Sequence, residues 1–187
     1  MKVKGEIVTS KKFASGIVAK SGSVTIQNCI SSMTIKSTVD GDGTHGCFIA
    51  ISKYNSTISN SIFNGQLLGR NTHSCGGLAG WCDDQSNGNN ISHCIFDPQA
   101  LNFKDSCSAT FSRGRKNYDD YESILRNNNN YYKTSFGEHT QGKDARGWSD
   151  SKLYDEIKGG NGDGSWVLHC DTLYLKPFQR YVDITGW

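Results

Sequence analysis

Short apolar groups recur along the first hundred residues of this chain, and they recur at a fixed distance. Three stretches can be laid over one another, at residues 14–30, 45–62 and 75–95. Their opening halves lie 31 and 30 residues apart, and their closing halves lie 32 and 33 residues apart. A constant period of this size is typical of stacked supersecondary units, each of which buries its apolar face against the next. The pattern therefore predicts a repeat architecture.

Each repeat unit holds three apolar sites separated by turn residues. Groups this short, broken by Gly, Asn and Ser, favour β-strands over helices. Three brief strands per unit are what one coil of a parallel β-helix requires, with equivalent residues stacked about 4.8 Å apart. We therefore predict one interior ladder of Ile26, Ile58 and Ile91, and a second beside it of Cys29, Ser61 and Cys94. A third apolar site follows at Ile35, Leu67 and Ala100.

The repeat extends beyond its three clear copies at both ends. Residues 4–8 resemble the closing strand of a preceding coil, and residues 106–111 resemble a degraded fourth opening strand. The segment Asn129-Asn130-Tyr131-Tyr132 then matches His93-Cys94-Ile95-Phe96. The predicted fold class is all-β, a parallel β-helix of about four coils over residues 1–132, with the first coil entered part-way.

The pattern ends at residue 133, and we expect residues 133–187 to cap the C-terminal end of the stack within the same folding unit. Asp150 as N-cap and Gly159 as stop predict a short helix between them. Residues 164–169 and 173–175 then predict a hairpin. Because an open solenoid end needs cover, we expect four hairpin residues to be buried against the last coil around Ile124, namely Trp166, Leu168, Leu173 and Leu175.

The longest insertion lies between the first and second strands of the third unit. It reads Asp-Asp-Gln-Ser-Asn-Gly-Asn-Asn and follows Cys82. Loops that escape the period are where a solenoid can carry specificity, because stacking constrains its interior. Trp81, at the repeat position of Lys20 and Ile51, could stack on a sugar ring beside this loop. We therefore predict a glycan-binding flank formed by Trp81, Asp83, Asp84 and Asn87.

Composition and charge limit the classes of partner that the sequence predicts. The hydrophobic fraction of 35% is low for a compact core but suits a narrow stacked one, and the net charge is only +2. No cluster of Lys and Arg marks a nucleic-acid surface. No segment approaches the roughly 18 apolar residues of a membrane span, and residues 1–20 lack the apolar region of a signal peptide. We expect a cytosolic chain or, preferably, a fragment of a longer secreted protein.

The seven cysteines are an odd number, so they cannot all pair within one chain. Cys29 and Cys94 share a repeat position with Ser61, which favours free thiols that act as small buried residues. The sequence contains no Cys-x-x-Cys pair, the close spacing that a zinc site would need. Cys75 and Cys82, which flank Gly-Leu-Ala-Gly, are the best candidates for a disulfide.

Candidate catalytic and metal groups have ordinary structural explanations. Asp83 and Asp84 are adjacent on the chain, so on a strand they would point to opposite faces rather than form an acid–base pair. Asp40 and Asp42 alternate with Gly as in a calcium turn, and residues 161–164 do the same, but the further oxygen ligands are missing. His45 near these carboxylates is more often a hydrogen-bonded structural residue. No motif indicates a cofactor.

Two motifs resemble a known group. Gly77-Leu78-Ala79-Gly80 matches the Gly-Leu-x-Gly signature of GLUG-type repeats in bacterial surface and secreted proteins, and residues 26–30 match the strand that follows it there. The tail, with Asn130-Tyr131-Tyr132, Trp166 and residues 174–177, resembles the segment that often closes such arrays. The resemblance implies a right-handed parallel β-helix within a large envelope-associated protein, acting as a stalk, an adhesin segment or a companion to catalytic domains.

Three functional hypotheses follow. The preferred one is a non-catalytic β-helix module of a bacterial secreted or cell-surface protein, which serves adhesion, display or glycan contact and adjoins further domains. The second is a polysaccharide-processing enzyme, a lyase or glycoside hydrolase, and the third is a structural spacer. A cluster of acidic and basic side chains on one lateral face would favour the enzyme. An exposed aromatic face beside the insertion would favour binding, and a featureless flank would favour the spacer.

Overall fold

The strands of this chain are short and run parallel to their equivalents one repeat away. The computed structural model describes residues 1–114, 116–158 and 166–175. Within them the chain forms a β-solenoid of about three turns, followed by a short helix and a hairpin. The strands of the three turns are β1 (Lys2–Thr9), β2 (Val18–Ser21), β3 (Thr25–Gln27), β4 (Ile30–Ser37), β5 (Gly41–Asp42), β6 (Ile49–Ser52), β7 (Thr57–Ser59), β8 (Ile62–Phe63), β9 (Gln66–Leu68), β10 (Thr72–His73), β11 (Ala79–Cys82), β12 (Asn90–Ser92), β13 (Ile95–Phe96) and β14 (Ala100–Leu101). The later elements are α1 (Tyr118–Asn127), β15 (Tyr131–Tyr132), β16 (Lys143–Asp144), α2 (Asp150–Lys158), β17 (Trp166–His169) and β18 (Thr172–Leu175).

Three parallel sheets run along the solenoid, one for each strand position in the coil. β2, β6 and β11 form the first sheet, and β3, β7 and β12 form the second. The third holds β1, β4, β8 with β9, and β13 with β14, and it continues into β15 and β16; β5 pairs separately with β10. Ile58 pairs with Ile26 on one side and Ile91 on the other, which confirms the predicted ladder. Ile49 likewise pairs with Val18, as the alignment of the repeats requires.

The third sheet presents an apolar residue to each side. Phe63 and Phe96 stack inside the solenoid with ring centroids 5.7 Å apart. Their strand neighbours Ile62 and Ile95 belong to a second, outer cluster of buried residues. Alternation along an extended strand explains the split, because successive side chains point to opposite faces. A sheet that is apolar on both faces requires a covering element on its outer side.

One position in the third sheet differs from the prediction. Leu67 pairs with Ile35 as expected, but its partner in the next turn is Leu101, and Ala100 pairs with Gln66 instead. The assignment of Ala100 to this ladder is therefore wrong. The chain needs five residues from Phe96 to Leu101, against four over the equivalent step one turn earlier. The extra residue shifts the alignment of this repeat by one position, and Leu101 takes the place in the apolar ladder that was predicted for Ala100.

One corner of the coil uses left-handed backbone and a side-chain cap. The corner residues Asn28, Asn60, His93 and Asn129 have φ between 46° and 54°, a region that Asn adopts more readily than most residues. The first three are followed by the members of the predicted ladder, Cys29, Ser61 and Cys94, and Asn129 is followed by Asn130; all four of these residues are buried. Ser61 Oγ accepts a hydrogen bond from the Cys29 N–H at 3.1 Å. A small acceptor at this position therefore satisfies an amide of the preceding turn, which explains why Ser replaces Cys.

The fourth coil is partial because a helix takes the place of its second strand. Its opening strand is reduced to bridges that join Ala109 to Gly76 and Ser112 to Ala79, and its third strand β15 pairs with β13 as predicted. Between them lies α1, whose N-cap Asn117 accepts a hydrogen bond from the Asp120 N–H. α1 buries two residues against the core, Tyr121 and Leu125. The predicted count of about four coils thus corresponds to three regular turns and this modified one.

Within the predicted cap, β16 extends the third sheet beyond β15, whereas α2 and the hairpin cover the side of the solenoid. α2 and the hairpin of β17 and β18 were both predicted, while Gly159, residues 161–165 and residues 176–187 lie outside the described residues. Trp166 and Leu175 are buried as expected, and Leu168 and Leu173 are half-buried. Trp166, Leu173 and Leu175 pack with the outer cluster of Ile62, Ile95 and Tyr131. The predicted contact with Ile124 is wrong, since that side chain is 39% exposed.

The Gly-Leu-x-Gly segment has a steric basis. A Cβ on Gly77 would overlap the carbonyl of Thr110 in the following turn. A Cβ on Gly80 would overlap the carbonyl of Ala50 in the preceding turn. The turns approach closely here, so glycine is required by the stacking itself.

All seven cysteines are free thiols, so the predicted disulfide between Cys75 and Cys82 is wrong. The Cys75 thiol donates to the His73 carbonyl at 3.2 Å, and the Cys82 thiol is directed to the Asp84 carbonyl at 3.7 Å. Both side chains are buried, and burial raises the pKa of Cys75 to about 12. Five thiols are buried in this way, and only Cys107 and Cys170 are exposed.

Candidate functional site

A surface pocket lies where the first sheet meets the corner that precedes it. It has a volume of about 230 Å³. Successive turns of the solenoid each contribute one to three side chains to it. We call this site the corner pocket, and its residues are Lys12, Phe13, Asp42, Thr44, Ile51, Trp81, Asp83 and Arg113. The pocket therefore unites Trp81 and Asp83, from the predicted glycan flank, with Asp42, from the calcium candidate.

Trp81 is held in a defined orientation at the edge of β11. Its ring is half-buried, and its Nε1–H donates to Asp83 Oδ1 at 2.9 Å. The Arg113 guanidinium carbon lies 5.0 Å from the ring centroid, within the range of a cation–π contact. Trp81 stacks in register with Ile51 of the preceding turn. An indole fixed at its N–H and on one face is a preorganised surface for a ligand.

Asp42 is committed to contacts within the protein. Its Oδ2 accepts from Lys12 Nζ at 2.6 Å, and its Oδ1 accepts from the Thr44 hydroxyl at 2.6 Å. Burial raises the pKa of this carboxyl, but the hydrogen bonds from Lys12 and Thr44 outweigh it, so the pKa lies below its ordinary value. Asp40 is exposed and does not line the pocket. Across the described residues no group of three or more His, Cys, Asp or Glu side chains is placed to hold a metal ion.

Phe13 is a pocket residue that the sequence analysis missed. It occupies the corner position of Thr44, Ser74 and Cys107, with the same left-handed backbone at φ 69°. A bulky residue in this region costs roughly 1–2 kcal/mol, and its ring is nevertheless 39% exposed. Residues with strained backbone conformations cluster at functional sites such as ligand clamps. The signal in the sequence is the aromatic residue itself, because the other three turns have small residues at this corner.

Asp84 and Asn87 do not join the pocket. The Asp84 carboxylate accepts from the Ser86 N–H at 3.2 Å, and its carbonyl accepts from the Gly88 N–H at 3.0 Å. These contacts close the turn of the insertion, and Asn87 is exposed within it. The predicted flank is therefore divided into a pair that lines the corner pocket, Trp81 and Asp83, and a pair that lies in the turn of the insertion, Asp84 and Asn87.

His45 has the structural role that the sequence analysis favoured. It is fully buried, its Nδ1 accepts from the Ala14 N–H at 3.0 Å, and its Nε2 lies 2.9 Å from Ser37 Oγ. Burial lowers the pKa of the imidazole to about 4, against an opposing effect of the Asp42 charge. The side chain is therefore neutral at physiological pH and faces the interior.

A second depression lies between the third sheet and the C-terminal hairpin. This lateral groove has a volume of about 240 Å³ and brings together Asp97, Lys133 and Asp150 above an apolar floor. Lys133 Nζ lies 2.8 Å from Asp150 Oδ1 and 3.8 Å from Asp97 Oδ2. The other Asp150 oxygen accepts from the Leu173 N–H at 3.0 Å. Asp150 thus ties α2 and β18 to the solenoid.

Comparison with known proteins adds no family assignment, because no family model, curated protein or solved structure matches this chain. The resemblance to GLUG-type repeats therefore stays a prediction. The described helices are all too short or too polar to cross a membrane.

Proposed function

We propose that this chain is a non-catalytic β-helix module that contacts glycans through the corner pocket, within a bacterial secreted or cell-surface protein. The observation that supports glycan contact is the convergence of two aromatic rings, Phe13 and Trp81, with charged side chains in one pocket. Bacterial origin and surface location rest on the resemblance of the repeats alone. Neighbouring domains of a longer protein would then be its covalent partners.

The chemistry of the pocket suits a sugar ring. Sugars present an apolar C–H face and a rim of hydroxyls, and aromatic rings with a few fixed polar groups complement both. Phe13 is the more exposed of the two rings, and Trp81 is held by Asp83 and Arg113. Because these side chains come from strands and corners of a rigid stack, binding needs little ordering of the protein.

A second candidate function, polysaccharide processing, is favoured by the lateral groove. Its two carboxyls have different environments: burial raises the pKa of Asp97, whereas the hydrogen bonds from Lys133 and the Leu173 N–H lower that of Asp150 against the effect of burial. Separated carboxyl pKa values are a feature of acid–base pairs. However, both Asp150 oxygens are occupied by contacts that hold the C-terminal hairpin. We therefore rank this function second.

A glycan array compared across three proteins tests the proposal. Wild type is expected to bind a defined set of glycans, and Trp81→Ala is expected to lose them. Tyr174→Ala is the matched control, because Tyr174 is 48% exposed and lines the lateral groove instead. Equal binding by wild type and Trp81→Ala, or binding by neither, would contradict the proposal. Release of reducing or unsaturated ends from a polysaccharide, lost in Asp97→Asn, would support the enzyme instead.

A further inference from the structure

The acidic and the basic side chains of the corner pocket differ in how many of their hydrogen-bonding groups already have a partner within the protein. Both oxygens of Asp42 are engaged by Lys12 and Thr44, and Asp83 receives the Trp81 N–H. The two carboxylates therefore have partners within the protein. The two cations retain donors: an ammonium has three N–H bonds and a guanidinium has five. Lys12 donates one of its three to Asp42.

Arg113 has the larger surplus. Its Nη1 donates to the Ser74 carbonyl, and its Nε is buried with no hydrogen-bond partner among the described residues. The Trp81 ring lies against one side of the guanidinium and contributes no acceptor atom. A buried donor without a partner is costly, and an acceptor brought by a ligand that shifts the side chain slightly would relieve that cost. The remaining N–H groups form a planar fork that matches two carboxylate oxygens.

From this imbalance we infer that the corner pocket selects glycans that carry carboxylate groups, with hexuronate residues as the ligand class. The inference rests on the proposed glycan-binding function and specifies its ligand. The sugar carboxylate pairs with Arg113 and with the remaining Lys12 donors. Phe13, beside Lys12 at the rim, receives the apolar face of the ring.

Other anions fit the site less well. A sulfate or phosphate group would also find the cations, but it is tetrahedral and gains less from a planar fork held against an aromatic ring. A neutral sugar could stack on Phe13 but would leave the surplus donors of Arg113 without a charged acceptor. The protein as a whole has a net charge of only +2, so a general attraction of polyanions is weak at physiological ionic strength.

The test compares oligosaccharides that differ only in charge. Wild type is titrated by calorimetry with an oligogalacturonate and with the same oligomer after reduction of its carboxyls to alcohols. A sulfated neutral oligomer of equal length forms the third arm. We expect the carboxylated ligand to bind at least about tenfold more tightly than the reduced one, as a charge-assisted fork requires. The sulfated ligand should not exceed the reduced one by as much.

Variants connect the preference to the pocket. Arg113→Gln should reduce oligogalacturonate affinity about tenfold and leave the reduced oligomer unchanged, and Arg113→Lys should restore the affinity only in part, because it keeps the charge but loses the fork. Lys53→Gln, outside the pocket, is the charge control. Equal binding of carboxylated and reduced ligands would overturn this inference and leave the proposed function standing. Binding of no glycan, charged or neutral, would overturn both the inference and the proposed function. Stronger binding of the sulfated oligomer would overturn the inference, because sulfate rather than carboxylate would then be the group that the pocket recognises.

Discussion

His45 Nδ1 accepts a hydrogen bond from the backbone N–H of Ala14, the residue at the same position one turn earlier, at a distance of 3.0 Å. The contact recurs along this corner, since Ser108 Oγ accepts from the Cys75 N–H at 3.1 Å. The corner between the first and second sheets repeats the arrangement, because Asn89 Oδ1 accepts a hydrogen bond from the Ser56 N–H at 3.0 Å. Hydrogen bonds between backbone groups do not reach every amide at the corners, and an unpaired buried amide is costly. Each turn therefore supplies side-chain acceptors for the turn before it.

The His45 contact makes stability depend on pH. Burial lowers the pKa of His45 to about 4 in the folded protein, from an ordinary value of 6.5. Between these values the unfolded chain takes up a proton that the folded protein does not, so stability falls as the pH is lowered from 6.5 towards 4. The loss should be on the order of 3 kcal/mol. His45→Asn keeps an acceptor for Ala14, and we predict a flatter profile in urea denaturation across this range. The exposed His169→Asn should retain the wild-type slope.

The corner at Ser61 allows a second test. Ser61→Ala removes the acceptor of the Cys29 N–H without creating a large cavity, and we predict a loss of about 1–3 kcal/mol in the free energy of unfolding. Ser61→Cys places there the residue that the neighbouring turns carry, so it should cost clearly less. Chemical denaturation of both variants measures the difference. If Ser61→Ala were as stable as wild type, the corner side chains would not act as caps.

Replacing the two carboxyls of the lateral groove, Asp97 and Asp150, should have different effects on the stability of the protein. The pKa of Asp150 is lowered, so its ionised form stabilises the folded protein above the unfolded pKa, and that contribution is lost as the pH falls through the folded value. Asp150→Asn should therefore destabilise the protein at neutral pH and loosen the hairpin. The pKa of Asp97 is raised by burial, so Asp97→Asn should be neutral or stabilising at pH 7. Thermal unfolding with hydrogen exchange of β17 and β18 reports both effects, and equal destabilisation by the two variants would contradict this assignment.

The C-terminal elements protect an apolar surface. Ending the chain after Arg146 removes α2 and the hairpin and uncovers the outer faces of Ile62 and Ile95, which are 9% and 3% exposed in the full chain. Exposed apolar patches of this kind promote association. We predict that the truncated protein self-associates in sedimentation velocity at concentrations where the full chain does not. A monomeric, equally stable truncated protein would show that the hairpin is dispensable.

The repeat predicted the register because equal positions in a solenoid must pair, and Ile26, Ile58 and Ile91 obey that rule. The repeat gave no indication of α1, because a period set by strands carries no information about a helix that takes the place of one. The signals for this helix are local: Asn117 as N-cap and acidic residues in the first turn. The C-terminal elements are placed by their contact with Ile62 on the outer side of the third sheet. The pattern of a single strand does not reveal that its outer side is covered.

The candidate site was only half accessible to sequence reasoning. Trp81 and Asp83 could be found because they border the one long insertion and break the repeat. Phe13 and Arg113 lie 100 residues apart in the chain and meet only after stacking brings successive corners together. Distance in sequence therefore conceals a site whose residues are neighbours along the solenoid axis.

The most direct test of the account follows the indole N–H of Trp81 in a ¹H–¹⁵N correlation spectrum during titration with an oligogalacturonate. Loss of one indole peak in Trp81→Phe assigns the resonance. We predict that the Trp81 peak shifts in a saturable way because its N–H is held by Asp83 inside the pocket, while the peaks of Trp148 and Trp166, which lie in the outer cluster, stay in place. Saturable binding that shifts the Trp148 or Trp166 peak and leaves that of Trp81 unmoved would contradict the corner pocket as the glycan site.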